Sequence, residues 1–157
     1  MLFTGSTELN IDAKGRLSIP SRYRAQLTGK AKEGDDNTPD SPSAWIALPW
    51  PDHSIRLYTE TTFEELANAW TDSLTLPADQ AELRRTIFAS AERIEPDSAG
   101  RIRVPQKHLD LAEIGSAVVV IGAGSMLEIR DRETWLAEER NRFNDLPALI
   151  EKTRSSA

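Results

Sequence analysis

The amino-acid sequence predicts an α+β fold, mainly β, built from a tandem duplication of about 50 residues per copy. Three observations support this prediction. The motif Asp-x-x-Gly-Arg occurs twice, at 12–16 and at 97–101. Short segments with alternating apolar residues, typical of half-buried strands, are separated by residues that favour turns. Longer segments with apolar residues three and four positions apart predict several helices beside the strands.

The two copies align in two blocks with different offsets. At an offset of 85 positions, identical residues are Asp12 with Asp97, Gly15 with Gly100, Arg16 with Arg101 and Pro20 with Pro105. At an offset of 72 positions, Leu57 and Phe63 match Ile129 and Trp135. The difference between the offsets falls in residues 28–43. This segment is rich in Gly, Pro, Ser and Asp, and we interpret it as an inserted acidic surface loop.

The alignment divides the chain into four parts. We expect a first repeat over 1–76, which contains the inserted loop, a linker helix over 77–92, a second repeat over 93–146 and a polar tail over 147–157. The linker is predicted to be helical because apolar residues recur at helical spacing after a proline. We expect the polar tail to fray.

Each repeat begins with a strand that leads into the Asp-x-x-Gly-Arg turn. Asp at the start of such a turn caps backbone N–H groups, and Gly three residues later supplies the positive φ of a bulge. The chain then returns as a half-buried strand, at 16–19 and at 101–104. The proline that follows ends the strand and suits the first turn of a short helix, expected over 21–27 and 106–111.

A hairpin and a helix complete each repeat. The predicted strand pairs are 45–49 with 55–59 and 117–122 with 126–130. In the first repeat, the spacing Thr62-x-x-Glu65 predicts a capping box at the start of the closing helix. In the second repeat, Asp131 is the expected N-cap.

One repeat alone buries too little apolar surface for a stable domain. We therefore expect the two repeats, related by a pseudo-two-fold axis, to interleave their hairpins into one β-barrel with short peripheral helices. Strand edges that remain open favour pairing with further copies, so we also expect a homo-oligomer.

Composition excludes several classes of function. The 157 residues include no Cys and two His, which excludes a disulfide framework, Cys-ligated zinc and a catalytic thiol. His53 and His108 are expected on the surface, and we predict no catalytic residue, no metal, no cofactor and no enzymatic activity. No apolar run approaches the roughly 20 residues of a membrane helix, and the N terminus does not resemble a signal peptide. We expect a soluble, cytoplasmic protein.

The charge of the chain is unevenly distributed. The net charge is −6, but residues 1–32 carry six basic and two acidic groups, so the rest of the chain carries −10. A locally basic surface on an acidic protein is compatible with an anionic partner such as nucleic acid. A small window of any protein also varies by a few charges, so the charge distribution alone does not identify a partner.

The repeated pair of Asp and Arg has two open interpretations. Both residues flank a tight turn, so they can simply pair across it and hold it. Alternatively, the Arg points outward from the turn and offers a planar, bidentate donor to phosphate or to guanine. Repetition and the adjacent basic residues favour the second interpretation. The candidate DNA-binding residues are Lys14, Arg16, Arg101 and Arg103, with Asp12, Gly15, Asp97 and Gly100 as supporting motif residues.

The sequence resembles the bacterial MraZ family of transcriptional regulators. The resemblance rests on Phe3-x-Gly5, on Asp12-x-Lys14-Gly15-Arg16-x-x-Ile19-Pro20-x-x-Tyr23-Arg24 and on Asp97-x-x-Gly100-Arg101-Ile102-x-Val104-Pro105, and it extends to about Trp135. The paired motifs are specific to this family, whereas a single one also occurs in related AbrB-type regulators. The resemblance implies two swapped-hairpin halves joined in one β-barrel.

The resemblance also implies a function. Members of the family form ring-shaped homo-oligomers and bind short direct repeats in double-stranded promoter DNA, upstream of their own cell-division and cell-wall operon. By position, Arg16 and Arg101 are implied to contact DNA with help from Lys14, and the protein is implied to be nucleoid-associated. Ala99 stands where the first repeat has Lys14, so the two halves are expected to contribute unequally.

A second hypothesis comes from a different class of function. The acidic loop at 33–40 is longer than we expect for the family. Under this second hypothesis, the chain is a DNA-independent oligomeric assembly module that binds a protein partner through this loop.

Overall fold

The computed structural model describes residues 2–28, 44–70 and 74–155. The strands are β1 (Ser6–Asn10), β2 (Arg16–Ser18), β3 (Trp45–Trp50), β4 (Ser54–Thr59), β5 (Glu92–Ile94), β6 (Arg101–Arg103), β7 (Ala117–Gly122) and β8 (Leu127–Asp131). The helices are α1 (Ser21–Thr28), α2 (Glu60–Asn68), α3 (Ala78–Ser90), α4 (Gln106–Ala112), α5 (Arg132–Ala137) and α6 (Glu139–Ser155). The inserted loop predicted at 28–43 lies, apart from Thr28, outside the described residues. The predicted α+β class is confirmed, but the expected mainly β content is wrong, because the described helices contain more residues than the described strands.

Six of these strands form one antiparallel sheet in the order β1-β7-β8-β4-β3-β5. When every strand is exchanged for its counterpart in the other repeat, the same order results, read from the opposite edge of the sheet. At the centre, Ile55 pairs with Ile129 and Leu57 with Leu127, which places the pseudo-two-fold axis between β4 and β8. Each edge strand pairs with a hairpin of the other repeat, β1 with β7 and β5 with β3. Neither repeat therefore completes its own sheet.

The described strands do not close into the predicted barrel. Strands β1 and β5 are the edges of the six-stranded sheet and do not pair with each other, while β2 and β6 form a separate two-stranded ribbon. The turns explain this arrangement. The N–H groups of Asp12 and Asp97 donate to the carbonyls of Arg16 and Arg101 at 2.9 Å. Beyond that bond, β2 and β6 pair with each other instead of continuing along β1 and β5.

The β2–β6 ribbon and the large sheet share one hydrophobic core. Leu17 and Ile102 are directly opposite each other on the ribbon, and both are fully buried. They belong to the same buried cluster as Phe3 and Trp45. Because the residues on either side of Leu17 and Ile102 are at least partly exposed, the ribbon has one apolar inner face and one polar outer face.

Helix α2 begins three residues earlier than the sequence predicts. Its N-cap is Thr59, whose hydroxyl accepts a hydrogen bond from the N–H of Thr62 at 3.2 Å, so the expected cap at Thr62 is wrong. The reason is that β4 ends at Thr59 and the chain enters the helix without a loop. The expected N-cap at Asp131 is confirmed, since its carboxylate accepts from the N–H of Thr134.

The segment predicted as a frayed polar tail is helical through Ser155. Helix α6 continues across Pro147. Lys152 and Arg154 lie in its last turn, where positive charge interacts favourably with the helix dipole. None of the helices in the described ranges is both long and apolar enough to cross a membrane.

His108 is buried, contrary to the expected surface position. Its side chain lies on α4, which packs against β3 and β4, and 4% of the residue is exposed. The Nε2 atom lies 2.9 Å from the carbonyl oxygen of Ser90, at the end of α3. Burial lowers the pKa of the His108 imidazole, so the residue links two helices as a neutral group. His53 is exposed in the β3–β4 turn, as expected.

Candidate nucleic-acid interface

Asp12 holds the first turn through three hydrogen bonds. Its Oδ1 atom accepts from the backbone N–H groups of Lys14 and Arg16, both at 2.9 Å, and its Oδ2 atom accepts from Nε of Arg16 at 2.8 Å. Gly15 has a φ of 77°, which confirms the predicted positive φ. One carboxylate thus caps the turn and orients the guanidinium of Arg16.

The second turn repeats this geometry. Oδ1 of Asp97 accepts from the backbone N–H groups of Ala99 and Arg101 at 2.9 Å, and Oδ2 accepts from Nε of Arg101 at 2.9 Å. Gly100 has a φ of 78°. The sequence duplication is therefore a duplication of side-chain geometry as well.

Both carboxylates are anionic at neutral pH. The backbone N–H of Arg16 is the main cause that lowers the pKa of the Asp12 carboxyl, and the backbone N–H of Arg101 does the same for Asp97. The ion pairs are partly exposed, with 29% of the Arg16 side chain and 36% of the Arg101 side chain accessible. Solvent screens such pairs, so their main effect is on side-chain orientation rather than stability.

The two interpretations of the Asp–Arg pair are compatible in this geometry. Each Arg uses only its Nε atom to bind the aspartate of its own turn. Within the described residues, the Nη atoms of Arg16 and Arg101 have no hydrogen-bond partner. These atoms form the planar donor edge that can bind two oxygen atoms of a ligand.

The β2–β6 ribbon brings the basic residues of both repeats together. Arg16 is directly opposite Arg103, and Ser18 is directly opposite Arg101. Since opposed and alternate residues share one face of a ribbon, all four side chains lie on the face away from Leu17 and Ile102. We call the outer face formed by Arg16, Ser18, Arg101 and Arg103 the arginine face.

Lys14 lies beside the arginine face, exposed in the first turn. Only its backbone N–H is bound by Asp12. Arg103 approaches the same turn. If Gly15 were replaced by a residue with a Cβ atom, that atom would lie 4.0 Å from Cγ of Arg103. The structure thus places all four predicted DNA-binding residues on the ribbon or in its turns. Within the described parts of the chain, no cluster of three or more His, Asp or Glu residues is arranged to hold a metal.

One basic residue near the site is absent from the predicted set. Arg24, on α1, packs against Gly100 in the second turn. A signal for it exists in the alignment of the repeats. At the offset of 85 positions, Arg24 corresponds to Leu109, so this basic residue has no counterpart in the second repeat.

Comparisons of this chain with a family model and with individual proteins point to the same family. A family model described as "MraZ protein, putative antitoxin-like" matches residues 2–33 and 87–148, which include both turns. Proteins named transcriptional regulator MraZ match most of the chain. The one from Nitratidesulfovibrio vulgaris is 30% identical over 146 residues, 93% of this chain and 91% of its own length. The one from Burkholderia ambifaria is 32% identical over 139 residues, 88% of this chain and 89% of its own.

A third relative extends the match. The transcriptional regulator MraZ from Coxiella burnetii is 28% identical over 153 residues, which cover 93% of this chain and 95% of that protein. The matches thus include both repeats and the linker between them. The chain therefore belongs to the MraZ family.

Proposed function

We propose that this protein is a sequence-specific DNA-binding transcriptional regulator. The observation that supports the proposal is the arginine face, on which three guanidinium groups from two repeats lie on one short ribbon. The names of its relatives agree with this assignment, since each is called a transcriptional regulator. The proposed site consists of Arg16, Arg101 and Arg103 with Lys14, supported by Asp12, Gly15, Asp97 and Gly100.

A two-stranded ribbon with arginines on one face is suited to reading DNA. The major groove admits a two-stranded β-ribbon, and Arg is the residue most suited to bind guanine through two hydrogen bonds. Asp12 and Asp97 fix the Nε edges of Arg16 and Arg101, which reduces the conformational entropy lost on binding. Arg103 and Lys14 add charge for contacts to phosphate groups.

The small size of the arginine face supports an oligomer acting on repeated DNA sites. Each strand of the ribbon has three residues, so one copy contacts few base pairs. Several copies in one assembly gain affinity through effective concentration without new contacts. We therefore propose a ring-shaped homo-oligomer that binds short direct repeats in the promoter of its own cell-division and cell-wall operon, in the cytoplasm and at the nucleoid.

The pairing pattern also supports a swapped-hairpin architecture. Strand β2 pairs with β6, β1 with β7 and β5 with β3, and each of these pairs joins strands from different repeats. We propose that this exchange is the swapped-hairpin arrangement of AbrB-type regulators.

A DNA-binding titration tests the proposed function. DNA from the region upstream of the gene is compared with scrambled DNA of equal length at about 150 mM salt, where weak non-specific contacts are largely screened. We expect preference for the upstream DNA, lost in Arg16→Ala and in Arg101→Ala. Arg140→Ala removes the same charge from an exposed position on α6 and serves as the control. Equal or absent binding to both DNAs would overturn the proposal.

The same titration distinguishes the proposed DNA-binding regulator from the second hypothesis, an assembly module that binds a protein partner. A DNA-independent assembly module that binds a protein partner would bind both DNAs equally at low salt and neither at about 150 mM. Its proposed contact, the acidic loop at 33–40, lies outside the described residues. Sedimentation velocity of the full chain tests the oligomer, and a single species with the mass of one chain would contradict the ring.

A further inference from the structure

Arg24 covers the second turn and leaves the first one open. A Cβ atom on Gly100 would lie 2.5 Å from Cδ of Arg24 and 2.6 Å from its Cζ and Nε atoms. The Nε atom donates to the carbonyl of Ile19 at 2.9 Å. Gly100 is buried, whereas its counterpart Gly15 is half-buried and meets no atom closer than 3.7 Å.

This asymmetry coincides with a difference in the charge of the two turns. The first turn contains Lys14, but the second contains the uncharged Ala99 at the corresponding position. In the other direction, Arg24 corresponds to Leu109, and the Arg of the second repeat nearest to Gly15 is Arg103, whose Cγ would lie 4.0 Å from a Cβ atom there. Besides its motif Arg, the first turn is therefore accompanied by its own Lys14 and by the more distant Arg103 of the second repeat, whereas the cation packed on the second turn is Arg24 of the first repeat.

We infer that Arg24 supplies the second turn with the cation that Ala99 lacks, and that it binds a phosphate of the DNA contacted by Arg101. This inference rests on the proposed function. The Nη atoms of Arg24 have no hydrogen-bond partner in the described part of the chain, while its Nε bond to Ile19 fixes the guanidinium over the turn. A fixed guanidinium donates two hydrogen bonds to one phosphate.

The competing role for Arg24 is purely structural. The Nε bond to Ile19 joins α1 to the end of β2, and Ile19 in turn donates its N–H to the carbonyl of Gly100 at 3.4 Å. Arg24→Gln separates the two roles. The Nε2 atom of Gln stands at the same position along the side chain as Nε of Arg and can still donate to Ile19, but the charge and the Nη donors are gone.

The experiment measures DNA affinity of the full chain as a function of salt, using the upstream DNA as the probe. Loss of one phosphate contact lowers the slope of log K against log salt by about 0.9. We expect Arg24→Gln to weaken binding severalfold with this change in slope and to unfold at the same urea concentration as the wild type. Addition of Ala99→Lys, which places a Lys at the counterpart of Lys14, is expected to restore the slope.

Each other outcome overturns the inference. An unchanged affinity and slope in Arg24→Gln would show that Arg24 binds no phosphate. Weakened binding that Ala99→Lys fails to restore, or a loss of stability in Arg24→Gln, would assign Arg24 the structural role. Failure of the proposed function itself is distinguishable, because the wild type would then show no preference for the upstream DNA and Arg16→Ala would have no effect.

Discussion

Arg16 and Arg103 lie directly opposite each other across the β2–β6 ribbon, although they belong to different repeats. Like charges at opposed positions of two strands repel each other. The Nη atoms of Arg16 and the whole guanidinium of Arg103 have no hydrogen-bond partner in the described residues. An anion placed over the ribbon would relieve this repulsion, which makes the pair informative about function.

Arg103→Ala is expected to weaken DNA binding without loss of stability. Removal of one cation from the opposed pair relieves repulsion, so the free energy of unfolding should stay equal or rise by up to about 1 kcal/mol. Affinity for the upstream DNA should fall severalfold, and the slope of log K against log salt should fall by about 0.9, as for the loss of one phosphate contact. Urea unfolding and DNA titration measure the two quantities. A clear loss of stability would show that Arg103 holds the ribbon together.

Asp12→Asn is expected to reduce sequence preference more than affinity. The Asn side-chain oxygen still accepts from the N–H groups of Lys14 and Arg16, so the turn remains capped, but the carboxylate that orients Nε of Arg16 is lost. Loss of a negative charge near DNA favours non-specific binding, whereas loss of orientation disfavours specific binding. The ratio of affinities for upstream and scrambled DNA should therefore fall.

A matched control for Asp12→Asn is Asp145→Asn, which makes the same change at an exposed position of α6. It should leave the affinity ratio as in the wild type. An unchanged ratio in Asp12→Asn would mean that the carboxylate only caps the turn.

Most local parts of this fold follow from the sequence, although the cap of α2 lies at Thr59 and not at Thr62 as predicted. The turns, hairpins and short helices were predictable because Asp, Gly and Pro act on residues within four positions of themselves. Gly15 and Gly100 adopt the predicted positive φ for that reason. Asp131 caps α5 as expected, because a cap also depends on its nearest neighbours.

The long-range parts do not follow from the sequence in the same way. The repeat predicts that β2 and β6 are equivalent, but equivalence does not state that they pair with each other rather than with β1 and β5. This pairing creates the arginine face, so the sequence indicates the candidate site residues but not that they share one surface. The approach of Arg24 to Gly100 depends on the same pairing, and only the missing counterpart at Leu109 indicates it.

The two turn aspartates are expected to make stability depend on pH in the acidic range. Their pKa values are lowered in the folded protein, mainly by the backbone N–H groups of Arg16 and Arg101. Above the ordinary carboxyl pKa of about 4, both carboxyl groups are ionised in the folded and in the unfolded protein, and the stabilisation is fully present. As the pH falls through the lower pKa of the folded state, the stabilisation is lost, because the unfolded state binds protons first.

The urea midpoint measured from pH 7 to pH 3 tests this pH dependence. At neutral pH, the urea midpoint of the wild type should be higher than that of the double variant Asp12→Asn, Asp97→Asn. This difference in midpoint should shrink below about pH 4. A difference that stays constant with pH would show that the carboxylates contribute nothing through their ionised form.

Gly100→Ala is expected to destabilise the protein more than Gly15→Ala. Both positions have a φ near 78°, which costs an L-residue about 1–2 kcal/mol, so this part is common to the two variants. Only at Gly100 does the new methyl group meet Arg24, which must move and give up its bond to Ile19. The additional loss of unfolding free energy in Gly100→Ala, relative to Gly15→Ala, should therefore disappear when both variants also carry Arg24→Ala. Urea unfolding in a double-mutant cycle measures this difference. An excess that persists without the Arg24 side chain would place its cause in the backbone of the second turn.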